Sequence, residues 1–175
     1  MNTFEVIEKR YSHKEAFLEN PVPLADLERI ACAGLLAPSG ANSQQVKLVI
    51  LPDRAAIQPL FDIHQNAALQ TAPAAIALFT DSSVFGKQER RWVFDKEDYA
   101  AACQNILLAA TAMGYSSLWL DSPFFDEERQ SAACKALNAP ETCHLWVVIP
   151  IGLPDGDGSR RKKLPLEERL FYGRF

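Results

Sequence analysis

Apolar positions along the chain change period, and the changes mark the elements. Leu24, Leu27, Ile30, Ala31 and Leu35 recur at the three-to-four spacing of one helical face, which predicts a helix over 24–36. Residues 46–51, 74–80 and 145–151 are β-branched or continuous apolar runs that predict strands, the last of them buried on both faces and closed by Gly152. A shorter run predicts a strand over 117–120. Polar starts predict four more helices. One spans 2–10, with Asn2 and Glu5 spaced as a capping box. The second spans 53–68 and the third, opened by Asp126, runs to about 137. The longest covers 95–113, with Asp95 as cap, Asp98 at the reciprocal position and Gly114 placed to end it. Tyr99, Ala102, Cys103, Ile106, Leu107, Ala110 and Met113 line one side of this helix. Alanines at 100, 101, 109 and 112 make the rest small and apolar, so a second buried face is expected, a candidate subunit interface.

Composition adds limits. The 175 residues, 48% hydrophobic and 23% charged, suit one soluble globular domain, 1–175, with no repeat or linker. A net charge of −4 argues against a nucleic-acid partner. The one basic cluster, Arg160-Arg161-Lys162-Lys163, is short and has no interleaved aromatics. The first residues show no signal-peptide pattern, and no apolar run reaches membrane-spanning length. Cys32, Cys103, Cys134 and Cys143 form no C-x-x-C pair and are expected as free buried thiols in a reducing, cytoplasmic setting. His13, His64 and His144 are scattered, so no metal site is expected.

Two stretches carry candidate chemistry. Arg10-Tyr11-Ser12-His13-Lys14 sets two fixed cations and a hydroxyl within five residues. A guanidinium fork, a mobile ammonium and a short hydroxyl donor suit a phosphate, although solvated charges at a helix end give the same pattern. Residues 37–45 are turn-rich. Pro38 lacks a backbone donor, Gly40 permits positive φ, and Ser39, Asn42, Ser43, Gln44 and Gln45 supply neutral hydrogen-bonding groups. Residues 82–93 are polar and aromatic, a loop over a pocket or a lead into the next helix. The region from 153 onward joins the basic cluster to an apolar tail that is expected to dock on its own core or on a partner. No nucleophile elbow or Walker loop is present, and Gly156-Asp157-Gly158 is followed by Arg161 where a dinucleotide fingerprint has its third glycine. Cation clusters at both ends and no protein nucleophile point to chemistry done by a bound cofactor.

Six segments, in order, resemble the flavin-dependent nitroreductase family along nearly the whole chain. They are Glu8 to Lys14, Ala37 to Gln44, Gln104 to Ala110, Met113 to Trp119, Pro150 to Pro154, and Lys163 to Glu168. The resemblance implies an α+β fold with a central, mostly antiparallel sheet flanked by helices, in an intertwined homodimer whose tail from about 153 to 175 wraps the partner. It implies FMN as cofactor and NADH or NADPH as co-substrate. By position, Arg10, Ser12 and Lys14, with backbone from Tyr11, would hold the FMN phosphate and ribityl chain, and Arg161 and Lys163 would close on the same phosphate. Pro38, Ser39, Gly40, Asn42 and Gln44 would come from the other subunit, and Leu120, Asp121 and Ser122 would pass the flavin ring. The chain has Gln45-Val46 where members often have Pro-Trp, and Gln65-Asn66-Ala67-Ala68 where many have an Asn and a Lys. It lacks the long insertion of larger members, leaving a substrate pocket that is open or lined by Phe85, Trp92, Phe94 and Phe124. The implied activity is ping-pong hydride transfer from NAD(P)H to a nitroaromatic, quinone or similar small electron acceptor. The alternatives are a non-catalytic flavin-binding relative and a specialised reductase of one metabolite.

Overall fold

The structure, a computed structural model, describes residues 1–85 and 94–175. The helices are α1 (Thr3–Lys9), α2 (Leu24–Leu35), α3 (Arg54–Ile63), α4 (Ala67–Thr71), α5 (Asp95–Ala112) and α6 (Glu127–Ala136). The strands β1 (Val46–Leu51), β2 (Ala74–Asp81), β3 (Ser116–Ser117) and β4 (Cys143–Gly152) form one antiparallel sheet in the order β1-β2-β4-β3. The expected α+β architecture is therefore present.

Strand alternation divides the core into two layers. On β2, Ala74, Ile76 and Leu78 face α2 and α5, while Ala75, Ala77 and Phe79 face α3, α4 and α6. All of these are buried, which is why β2 reads as an unbroken apolar run. Each fully buried Ile or Leu contributes about 1.5–3 kcal/mol. Leu78 pairs with Val147 and Phe79 with Leu145, so Trp146 is an extra residue, a β-bulge. The bulge sends Leu145 and Val147 to opposite layers and turns Trp146 onto Tyr99 of α5, stacked at 4.8 Å.

Several expected elements differ in detail. The helix over 53–68 is two helices. Asp53 caps α3, but Asn66 accepts from the N–H groups of Ala68 and Leu69 and starts α4 afresh. A strong local cap competes with helix continuation. Leu24 and Leu35 are exposed. The buried face of α2 uses Gly34 instead, where a Cβ would lie 2.7 Å from Ile106 Cγ1, so α2 and α5 approach closely. Cys32 is exposed, Cys134 and Cys143 are half-buried, and only Cys103 is buried, where desolvation pushes its thiol up. The strand over 117–120 is Ser116–Ser117, after which Leu120 alone bridges to Val148. Gly114, at φ +88°, ends α5 one residue beyond its cap, Met113. The capping box expected from Asp95 and Asp98 is absent: Phe94 precedes the helix without a side-chain cap, and Asp98 is turned inward. No helix among the described residues is long and apolar enough to cross a membrane.

Candidate functional site

Residues 10–14 leave α1 as extended chain. His13 pins them: its N–H donates to Ser117 O at 3.0 Å, and its fully buried ring packs edge-on against Phe17 at 4.6 Å. His13 Nε2 donates to Ala16 O at 2.8 Å, and Nδ1 lies 3.3 Å from Tyr11 Oη and 3.6 Å from Glu15 Oε2. Tyr11 Oη also lies 3.2 Å from Ser116 Oγ. Alternation along the extended segment puts Arg10, Ser12 and Lys14 on the side away from His13. Nothing in the sequence distinguished this buried histidine from a surface one.

The C-terminal basic cluster meets the same segment. Leu18 N–H donates to Leu153 O, and Asp155 N–H to Ala16 O, so the departing chain is laid along 16–18. Gly158 rests on the Tyr11 ring, where a Cβ would fall 2.1 Å from Cε2. Arg160 donates to Glu8 O at 2.8 Å and Lys9 O at 2.5 Å. The result is a cavity of about 530 Å³ walled by Arg10, Tyr11, Ser12, Lys14, Ser159, Arg160, Arg161 and Lys163, with Ile7 and Glu8 at one side. Its size is that of an ordinary ligand site. Arg10, Lys14, Arg161 and Lys163, with the Ser12 hydroxyl, form a donor set that fits a phosphate dianion, which needs several charge-assisted donors once partly out of water. Arg160 is a fifth cation in this wall, one to which neither the sequence nor the resemblance gave a phosphate role.

The 38–45 segment sits elsewhere, on the α2–α5 side, beside a separate cavity of about 400 Å³ that includes Pro38, Ser39, Gln44 and Asp98. Its backbone hangs from one buried carboxylate. Asp98 accepts from Gly40 N–H at 2.7 Å, Ser43 Oγ at 3.1 Å and Gln45 Nε2 at 2.7 Å. Ala41, Asn42 and Gln44 all adopt left-handed conformations, with φ of 53°, 54° and 52°. The positive φ expected at Gly40 is therefore carried by its neighbours. Gly40 is required for another reason: a Cβ would meet the Phe94 ring at 2.2 Å. Such strain persists only where the surroundings over-determine it, and Asp98 supplies that constraint. Asn42 and Gln44 are left exposed.

The remaining residues fall out differently. Leu120 is buried, Ser122 is exposed, and Asp121 Oδ2 accepts from Trp119 Nε1 at 2.8 Å. Phe94 is half-buried against Gly40. Phe85 ends a short 3-10 turn, Ser82–Phe85, and Trp92 lies outside the described residues. Phe124 lines neither of the two cavities described above. It is 1% exposed within the layer formed with α3 and α6, because the 3-10 turn Ser122–Phe125 rolls it inward and exposes Phe125. No cluster of His, Cys, Asp or Glu among the described residues could hold a metal ion.

A family model, the nitroreductase family, matches residues 7–64 and 60–153. A protein of Archaeoglobus fulgidus, provisionally described as an NADH dehydrogenase/NAD(P)H nitroreductase, is 33% identical over 130 residues, 74% of this chain and 72% of its own. A crystal structure from Bacteroides thetaiotaomicron with the same provisional description has a TM-score of 0.84 and 28% identity, covering 99% of this chain and 98% of the other. A provisionally described nitroreductase of Desulfovibrio desulfuricans, solved in complex with FMN, has a TM-score of 0.82 and 25% identity over 100% of this chain and 98% of its own.

Proposed function

The chain belongs to the nitroreductase family, and from that premise we propose that it is an FMN-dependent NAD(P)H oxidoreductase that works as a homodimer. The observation that carries this reading is the single cavity in which Arg10, Ser12 and Lys14 meet Arg161 and Lys163 from the other end of the chain. These residues would hold the phosphate of FMN. The FMN complex of the Desulfovibrio desulfuricans relative supports the choice of cofactor. When bound, FMN supplies a two-electron carrier that takes a hydride from NADH or NADPH and passes it to a nitroaromatic, quinone or similar acceptor in ping-pong order.

The chain's own contribution is placement. The basic cavity would orient the cofactor by its charged end, and the 38–45 loop, held by Asp98, would present Pro38, Ser39, Gly40, Asn42 and Gln44 toward the flavin of a second subunit. The 38–45 loop and the basic cavity share no lining residue in one chain, which favours a site completed across a dimer. Exposed apolar side chains support the same assembly: Phe4 and Leu36 on the body, and Leu164, Leu166, Leu170, Phe171 and Phe175 on the tail, which would wrap the partner. Leu120, Asp121 and Ser122 would flank the flavin, and Phe94 would border the acceptor.

A second reading, flavin binding without turnover, draws on Asn66. Its side-chain oxygen is committed to capping α4, and no Lys stands in 65–68 to stabilise negative charge on a reduced flavin. The test is direct. Purified protein is incubated with FMN, its visible spectrum recorded, and NADH or NADPH consumption followed with a nitro or quinone acceptor. A yellow protein that consumes nicotinamide steadily is expected. A colourless protein refutes flavin binding, and a yellow one with no consumption favours the second reading.

A further inference from the structure

We propose that Arg160 is a positioning residue of the basic cavity: it pins the strap 158–163 to the end of α1 and so aims Arg161 and Lys163 into the cavity, without spending its own charge on the ligand. The proposal rests on the reading above, in which the cavity takes the phosphate end of FMN.

The strap is laid down in steps. Backbone hydrogen bonds from Leu18 to Leu153 and from Asp155 to Ala16 fix where it starts. Gly158 then crosses the Tyr11 ring at a distance that leaves no room for a side chain. Arg160 completes the clasp. Its Nη1 and Nη2 donate to the carbonyls of Glu8 and Lys9, and its Cζ sits 5.4 Å from the centroid of the Tyr11 ring. Those carbonyls belong to the last turn of α1, which leaves them without intrahelical partners and gives them partial negative charge. One planar guanidinium thus bonds two carbonyls and covers an aromatic face. A lysine ammonium, a single point charge, cannot reproduce that geometry. Arg160 stands beside Arg161 and Lys163 but has two of its five N–H donors, one on each terminal nitrogen, bonded to the protein, so the three cations divide into one anchor and two hands.

The test uses the full chain, freed of flavin, and compares its affinity for FMN with that for riboflavin, which lacks the phosphate. The ratio reads the grip on phosphate. Amide hydrogen exchange at Leu18 and Asp155, whose hydrogen bonds seat the strap, reads its attachment in the flavin-free protein. Arg160→Gln, Arg160→Lys and Gly158→Ala are each expected to lower the ratio about tenfold, the worth of one charge-assisted contact, and to speed exchange at those two amides. Gly158→Ala alters no charge, and Arg160→Lys keeps it, so both isolate position. Lys163→Gln is the reference for direct contact, expected to lower the ratio with exchange unchanged. The proposal is overturned if Arg160→Lys keeps the wild-type ratio, or if Arg160→Gln lowers the ratio while exchange stays at the wild-type rate. If the wild type does not prefer FMN to riboflavin, the cofactor reading fails. Exchange in the Arg160 variants still decides the clasp.

Discussion

Asp98→Ala removes the acceptor from which the 38–45 loop hangs. Three donors lose their partner: Gly40 N–H, Ser43 Oγ and Gln45 Nε2. Hydrogen bonds to a charged group are worth about 1.5–3 kcal/mol each, but the sum overstates the loss. Ser43 is half-buried and can turn to water, and removing the carboxylate also removes its desolvation cost. Gln45 has no such escape. It is fully buried and its Oε1 already lacks a partner, so the whole amide would be orphaned. The expected loss is about 2–4 kcal/mol, since each buried neutral group left unsatisfied costs about 1–3 kcal/mol. Asp98→Asn should cost less, about 1–2 kcal/mol. Its Oδ1 can keep Gly40, and rotating the Gln45 amide lets Oε1 accept from the new Nδ2. Denaturant unfolding of both variants measures the difference, and FMN affinity in the assembled protein reports whether the loop has moved. An alanine variant within 1 kcal/mol of wild type, or an asparagine variant as damaged as the alanine one, refutes the reasoning.

Phe124→Ala should destabilise by about 3–5 kcal/mol, measured by denaturant unfolding, because its ring fills the layer under α6. At a temperature where the variant stays folded, the KM for the electron acceptor should be unchanged. Gly40→Ala forces a methyl into the Phe94 ring and should cost about 1–3 kcal/mol in the same assay, with weaker FMN binding if the loop serves the partner's site. Stability should fall as pH drops through about 6.5, the ordinary histidine value. Partial desolvation lowers both His144 and His64, His144 where its ring lies against Trp146 and with Asp95 opposing, His64 with Arg129 adding to the effect, so below that pH the unfolded chain takes up protons the native state resists. His144 Nδ1 also faces Gln130 Nε2 at 3.2 Å, which fits a neutral acceptor. Melting temperature recorded from pH 7.5 to 5.5 should show the decline, and His144→Gln should flatten it.

The sequence by itself determined the elements whose signals are local. β2 and β4 were legible because strands buried on both faces must be apolar at nearly every position, and the capping box of α1 because both of its partners lie within four residues. It also offered Arg10, Ser12 and Lys14 as anion-holding side chains, since charge and donor geometry belong to the residue type, while Arg161 and Lys163 were assigned through the family resemblance. Tertiary structure decided the rest. Asp98 looks like half of a capping box, and only the approach of the 38–45 loop makes it a buried anchor. Phe124 and Phe125 are indistinguishable in sequence until the turn chooses which one the core receives. Arg160 is one of four adjacent cations, and the last turn of α1 alone separates it from its neighbours. In each case the deciding partner lies far along the chain, and local periodicity carries no information about which distant backbone group a side chain will meet.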